Sequence, residues 1–263
     1  MSGPPILQVH DLSVRYGGVM ALCSVSFDVA EGSIVGLIGP NGAGKTTCID
    51  ALSGFTEPWH QDRTTPQVRF HGRSLDGAAP HARARAGFAR TFQSLELFDD
   101  LTVRENLLVS ASTPTWRSTL TDALWPKRHP DPAVDETLDL VGLDAVAEAR
   151  PEDLSNGQRH LVALARALVA RPSLVMLDEP AAGLDPAETA ELAVLLRSLP
   201  SRGVSVLLVD HDMALVLGSC DRIHVLDFGS IIASGTPEEI RANPTVVAAY
   251  LGQAGAAASD GAS

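Results

Sequence analysis

At 263 residues with 45% hydrophobic side chains, the chain buries roughly three quarters of its unfolded surface and holds a core without staples. Thirty-two acidic against twenty basic residues leave a net charge of −12, which argues against nucleic acid as a partner, since nucleic-acid binders present a basic face. Three dispersed cysteines, Cys23, Cys48 and Cys220, form no CxxC pair and suggest neither a disulfide framework nor a zinc site, so a reducing cytosol fits. The first residues lack a charged segment followed by an apolar one, and no run of about 18 apolar residues occurs, so the chain is expected to be neither exported nor membrane-spanning.

In chain order, "ILQVHDLSVRYGGVMALCSVSFDVAEGSIVGLIG" alternates apolar and polar residues in runs broken by glycine, the pattern of β-strands and turns. It ends in a buried strand, Ile34 to Ile38. The run "KTTCIDALSG" reads as a helix closed by Gly54. Residues 55 to 72 form a polar, proline-rich connection ending in a short strand "QVRFHG". From about Leu101 to Leu168 the spacing turns helical in "TVRENLLVSAS", "PAVDETLDLVGL" and "QRHLVALARALVA", marking an inserted helical subdomain. Two apolar strands follow, "SLVMLDEP" and "VSVLLVDHD", separated by the helical "PAETAELAVLLRSL" and therefore parallel. The last strands, in "RIHVLDFGSIIASG", join at Asp227, Phe228 and Gly229 as a hairpin. Thr236 and Glu239 stand at capping-box spacing before a short helix, and the tail after Gly252 has little to bury and is expected to fray.

The stretch from Gly39 to Thr46 has the form G-x-x-x-x-G-K-T between a strand and a helix. Successive backbone N–H groups in such a loop, with a helix N-terminus behind them, make a concave phosphate site. The contacting set is Gly39, Pro40, Asn41, Gly42, Ala43, Gly44, Lys45, Thr46 and Thr47. Lys45 would reach the β- and γ-phosphates, and the Thr46 hydroxyl would ligate Mg²⁺. Hydrolysis needs an acidic pair beside the cradle, and "LVMLDEP" places Asp178 and Glu179 at a strand end, Asp178 for Mg²⁺ and Glu179 to orient or deprotonate water. Cys48, in the first turns of the same helix, is open to two readings: a thiol with its pKa lowered by the helix dipole, or a small packed residue. The histidines at 10, 60, 71, 81, 129, 160 and 224 form no ligand-spaced cluster and read as surface or packed residues.

At "LSNGQ", residues 154 to 158, ahead of "RHLVALARAL", the chain resembles the ATP-binding subunits of ABC transporters, with Asn156 in place of the first glycine of the family's LSGGQ signature. The resemblance spans residues 6 to 252. It implies an α/β fold: a P-loop NTPase (RecA-like) core with an N-terminal antiparallel β subdomain and an inserted helical subdomain, the core at 1–92 and 166–263 and the insert at 93–165. It also implies a head-to-tail dimer, each ATP lying between the P-loop of one subunit and the signature of the other. Ser155, Gly157 and Gln158 would then meet the γ-phosphate. Tyr16 in "VRYGG" matches the aromatic that stacks on adenine, Gln93 in "RTFQ" the residue that reaches Mg²⁺ and water, and Asp185 in "AGLDP" the residue that crosses to the partner's site. His211 in "LLVDHDM" matches the switch histidine at the γ-phosphate.

Within that family, "ARTFQSLELFDDLTVRENLLV", "LDEPAAGLDPAETAEL" and the closing "AYLG" are similar to the branched-chain (hydrophobic) amino acid uptake subfamily. The resemblance implies an ATP hydrolase on the cytoplasmic face of the membrane, working with two integral membrane permease subunits, a second ATP-binding subunit of the same or a related kind, and indirectly a solute-binding protein. Related ATPases serving urea or amide uptake, lipopolysaccharide export or non-transport roles share these motifs and stand as alternatives. Two segments depart from the subfamily: "TEPWHQDRTTPQVRF" is longer than the usual turn, and "ASTPTWRSTLTDALWPKRHPDPA" carries Trp116 and Trp125 either for a membrane subunit or for packing.

Overall fold

The computed structural model describes residues 5–59, 67–91, 95–111 and 131–250. Gln93, Trp116, Trp125, His60, His129 and the tail from 253 lie outside the described residues. The chain divides into two compact units, one of residues 1–90 with 173–263 and one of residues 91–172. Against the edges expected from sequence, the second junction falls at Ser173 rather than 166. The expected edge would cut through a continuous helix, Asn156–Leu168, whose backbone ladder makes it one mechanical element.

In the first unit, β1 (Pro5–Tyr16) and β2 (Val19–Ala30) form a long antiparallel pair that β4 (Val68–Phe70) and β5 (Arg73–Ser74) extend in the order β2-β1-β4-β5. The strands are those read from the alternating pattern, and their antiparallel pairing is the subdomain that the family resemblance implied. A second sheet runs β10-β9-β3-β8-β7-β6. Its β3 (Ile34–Ile38), β7 (Leu174–Asp178) and β8 (Ser205–Val209) are buried at all five positions, as parallel strands covered on both faces must be. They pair in parallel with one another, with β6 (Phe88–Arg90) and with β9 (Arg222–Asp227), while β10 (Ser230–Gly235) returns antiparallel to β9. The β9–β10 loop is Phe228-Gly229 with φ of 42° and 76°, the double left-handed turn that a right-twisted two-residue hairpin needs.

The helix α1 (Lys45–Ser53) ends at Gly54 with φ 83°, the left-handed cap foreseen there. One hydrophobic cluster joins the sheets through it, with Leu7, Leu22 and Phe27 from the antiparallel sheet, Ile49 and Leu52 from α1, and Leu37, Met176 and Leu207 from the parallel strands. Each such side chain contributes about 1.5–3 kcal/mol by leaving water. Within α2 (Pro80–Arg85), Arg83 buries its guanidinium and donates to the carbonyls of Ala51 and Leu52 in α1 and of Leu75 and Ala78. That supplies donors to two of the C-terminal carbonyls of α1, Ala51 and Leu52, which a helix leaves without intrahelical donors. The unit continues with α6 (Pro186–Ser198), α7 (Met213–Ser219) and α8 (Pro237–Ala242), whose capping box uses Thr236 and Glu239 as the sequence indicated.

The second unit holds the three foreseen helices, α3 (Val103–Ala111), α4 (Pro132–Val141) and α5 (Asn156–Leu168). Val103, Leu107, Val134, Leu138 and Val162 are fully buried in it. Asn106, also fully buried, accepts from the Phe98 N–H and donates to the Phe98 carbonyl, fixing the segment before α3. The Arg166 guanidinium lies 4.8 Å from the centroid of the Phe98 ring. Among the described residues no helix is long and apolar enough to cross a membrane.

Candidate nucleotide site

The loop between β3 and α1 keeps its shape through glycines that nothing larger can replace. A side chain on Gly39 would place its Cβ 2.0 Å from the Leu226 carbonyl oxygen. Gly44, the N-cap of α1, has φ 105°, and its Cβ would stand 2.8 Å from the Ala21 carbonyl oxygen. The hairpin supports the loop from behind, the Gly229 N–H donating to the Ala43 carbonyl at 2.9 Å. No side chain caps α1 and its first turn carries no acid, so the donors and partial positive charge of that end have no anionic side chain from the helix itself. Lys45 is 7% exposed and folds its ammonium back onto the carbonyls of Gly39 (2.7 Å) and Pro40 (3.0 Å). Burial pulls its pKa below the ordinary lysine value, and Glu179, Asp178 and Asp210 oppose that shift. Thr46 is exposed and Thr47 half-buried.

Cys48 resolves to the packed alternative. Its side chain is fully buried and its thiol is pushed up to about 12 by desolvation. A helix dipole shifts a thiol downward only where the thiolate keeps some access to water, and here burial dominates.

The acidic side of the site lies at the same sheet edge, because Leu37, Val209 and Asp178 stand in register across β3, β8 and β7. Asp178 is 6% exposed and accepts from Arg90 Nη2 at 3.0 Å. Burial raises its pKa, with the Arg90 hydrogen bond and charge opposing. Glu179 turns out of β7 with φ 50°, while its N–H still reaches the Val209 carbonyl at 2.7 Å. Holding a non-glycine residue there costs of order 1–3 kcal/mol, a strain common at functional sites. His211 is exposed, its Nδ1 3.8 Å from Glu179 Oε2 and equally far from Asp210 Oδ1, beyond hydrogen-bond range. Asp210 is fully buried and accepts the N–H groups of His211 (2.7 Å), Asp212 (2.9 Å) and Ala181 (3.1 Å). It thereby ties the histidine's segment to the one after Glu179. Lys45, Asp178, Glu179 and His211 are thus collected at the C-terminal ends of parallel strands, where open α/β sheets bind ligands.

The other foreseen residues sit as follows. Tyr16 ends β1 with a half-exposed ring and its hydroxyl 3.2 Å from Thr56 Oγ1. Asp185 caps α6, its Oδ1 accepting from the N–H groups of Ala187 and Glu188. Ser155 caps α5 in the second unit. Its Oγ accepts the Gln158 N–H at 3.2 Å while Gln158 Oε1 accepts the Ser155 N–H at 3.0 Å, and Gly157 is buried beside them. Gln93 is outside the described residues. Arg90, Asp210 and Tyr250 did not emerge from the sequence. Tyr250, in the "AYLG" stretch, has its phenol pushed up to about 12 by burial, with the backbone of Gly39 opposing. Among the described residues no group of three or more His, Cys, Asp or Glu side chains is arranged to hold a metal by itself.

Comparison with known proteins agrees with this geometry. The family model described as "ABC transporter" matches residues 22–182, and that described as "Branched-chain amino acid ATP-binding cassette transporter" matches residues 230–256. The chain is 42% identical to the high-affinity branched-chain amino acid transport ATP-binding protein LivG of Salmonella typhimurium, over 95% of this chain and 99% of LivG. It is 40% identical to BraF of Pseudomonas aeruginosa, of the same description, over the same shares. Among solved structures, a nucleotide-free ATP-binding cassette from an ABC transporter superposes with a TM-score of 0.80 at 29% identity, covering 94% of this chain and 98% of that one. With a phosphate-shaped loop, an acidic strand end and an exposed histidine on one sheet edge, the chain belongs to the ATP-binding subunits of ABC transporters, in the family of the branched-chain amino acid transport ATP-binding proteins.

Proposed function

We propose that this ATPase drives uptake of branched-chain or other hydrophobic amino acids from the cytoplasmic face of the membrane, bound to two permease subunits and paired head to tail with a second ATP-binding subunit. The observation that carries the catalytic part is the uncapped end of α1 with no acid of its own in its first turn, with Asp178 and Glu179 at the end of β7, one strand beyond the neighbour of β3 in the same sheet. ATP enters with its phosphates on the backbone donors of residues 39 to 47 and draws the Lys45 ammonium off the loop carbonyls. Glu179 orients or deprotonates water, His211 contacts the γ-phosphate, and Tyr16 offers a ring to adenine. The second subunit's counterparts of Ser155, Gly157 and Gln158 close over the γ-phosphate, while Gln93 completes the site from this chain and Asp185 crosses to the partner's. Loss of the γ-phosphate removes those contacts and the dimer opens.

Mg²⁺ fits the residues present. Thr46 and Asp178 supply hard oxygen ligands, and the buried Asp178 carboxyl, held above its usual range despite Arg90, favours further positive charge. A Mg²⁺ ion takes few protein oxygens and completes its shell with phosphate and water. When bound it neutralises charge on the phosphate oxygens.

The test is a tagged pull-down from detergent-solubilised native membranes, paired with uptake of labelled leucine in a strain lacking this gene. Two polytopic proteins and a second ATPase in the eluate, with uptake lost, support the proposal. An envelope-export complex or ribosomes in their place, with uptake intact, overturn the transport assignment and leave the ATPase chemistry standing.

A further inference from the structure

The Asp178 carboxylate does not stand alone at its strand end. Arg90, the last residue of β6, is buried to 10% side-chain exposure and spreads its guanidinium between two acids, Nη1 to Asp50 Oδ1 at 2.7 Å and Nη2 to Asp178 Oδ2 at 3.0 Å. Asp50 belongs to α1, whose other end is the phosphate loop, and Asp178 ends β7. Nη1 also lies 3.4 Å from Ser53 Oγ, and the guanidinium carbon sits 5.8 Å from the centroid of the Phe55 ring just past α1. One planar fork therefore ties the helix behind the loop to the strand that carries the acid.

We propose that Arg90 is a positioning residue for the metal-bearing end of the site: by bridging Asp50 and Asp178 it fixes the Asp178 carboxylate relative to α1, so that Mg²⁺ meets a preset ligand. The proposal rests on the assignment of Asp178 as a Mg²⁺ ligand. A guanidinium suits this work because its donors leave in fixed directions within one plane, whereas a lysine ammonium is a point charge that reaches one partner well. Groups behind a metal ligand that fix its orientation are commonly worth about 10–100-fold in metal affinity.

Two roles for Arg90 give opposite signs. If it only balanced charge, removing it would leave two carboxylates facing the metal and Mg²⁺ would bind more tightly. As a positioning residue, its removal lets Asp178 swing away and Mg²⁺ binds more weakly.

The experiment measures equilibrium affinity for a fluorescent ATP analogue on the full chain, with EDTA and with Mg²⁺, for wild type, Arg90→Met, Arg90→Lys and Asp178→Asn. In Arg90→Met the gain in affinity that Mg²⁺ confers, read as the ratio of the Mg²⁺ to the EDTA value for each variant, is expected to fall about tenfold or more. Arg90→Lys should lose less. An unchanged or enlarged Mg²⁺ gain in Arg90→Met, with Asp178→Asn abolishing it, overturns the positioning role and leaves the ligand assignment intact. A full Mg²⁺ gain in Asp178→Asn removes the ligand assignment, and this proposal with it. Should Arg90→Met not fold, Arg90→Lys decides, a wild-type gain there ruling out the two-acid bridge.

Discussion

The helices α1 and α5 both have a glycine at their N-terminal end, Gly44 as the cap of α1 and Gly157 in the first turn of α5, and they treat their first backbone donors in opposite ways. At α5, Ser155 and Gln158 exchange hydrogen bonds and close the end upon itself, a capping box that satisfies two of the orphan donors reciprocally. At α1, Gly44 offers no side chain, the first turn holds no acid, and the nearest cation folds back onto loop carbonyls. The first arrangement stabilises a helix; the second leaves a helix end incomplete until an anion arrives. The residues at the cap therefore decide whether a helix end is satisfied within its own chain, as at α5, or left without a side-chain acceptor, as at α1.

The largest effect follows from separating capture at α1 from turnover beside it. Glu179→Gln should keep ATP affinity and lose about 10²–10⁴-fold in turnover, measured by phosphate release; wild-type-like turnover would remove Glu179 from its role.

The next effect bears on what holds the open end in place. His224 in β9 is buried with Nδ1 2.7 Å from Ser234 Oγ, and burial, reinforced by Arg222, pushes its pKa down to about 4. Its hairpin carries the Leu226 carbonyl against Gly39 and the Gly229 N–H to Ala43. With an unfolded value of 6.5, the unfolded chain binds the extra proton first. The contribution is therefore complete above about pH 6.5 and is lost as pH falls toward 4, in total about 3 kcal/mol. Thermal unfolding between pH 7 and 4 should show a shallower decline in His224→Gln than in wild type; matching slopes would contradict this.

Lys45→Ala should weaken nucleotide binding by roughly 1.5–3 kcal/mol, the worth of a hydrogen bond to a charged group. Isothermal titration would detect it, and an unchanged affinity would mean that the ammonium stays on its carbonyls when nucleotide binds. Smallest is Ser155→Ala, which opens the closed end and should cost about 1 kcal/mol of stability without altering ATP affinity in the isolated chain. A lowered affinity there would mean that one chain uses both ends on one nucleotide.

Local chemistry was legible in the sequence, and long-range pairing was not. The loop at 39–46, the strand-end acids, the Gly54 cap, the Thr236–Glu239 box and the Phe228-Gly229 hairpin all follow from neighbours within a few residues. The Ser155–Gln158 and Asp185–Glu188 boxes have the same signature and could have been found by the same spacing. Arg90 could not, since its partners lie 40 and 88 residues away and no pattern near "FAR" announces them. Asp210 likewise gains its meaning only when Ala181 comes within reach. Cys48 was ambiguous because a helix dipole and burial act on a thiol in opposite directions, and the sequence does not say how much water remains.

An open anion site at α1 and a closed end at α5 respond differently to nucleotide in the single chain. The direct measurement is amide hydrogen exchange, with and without Mg²⁺ and a non-hydrolysable ATP analogue, at dilutions where the chain is monomeric. Slowed exchange is expected across Gly42 to Thr47, with no change at Ser155 to Gln158. Protection at Ser155 to Gln158 with none at Gly42 to Thr47 would contradict it.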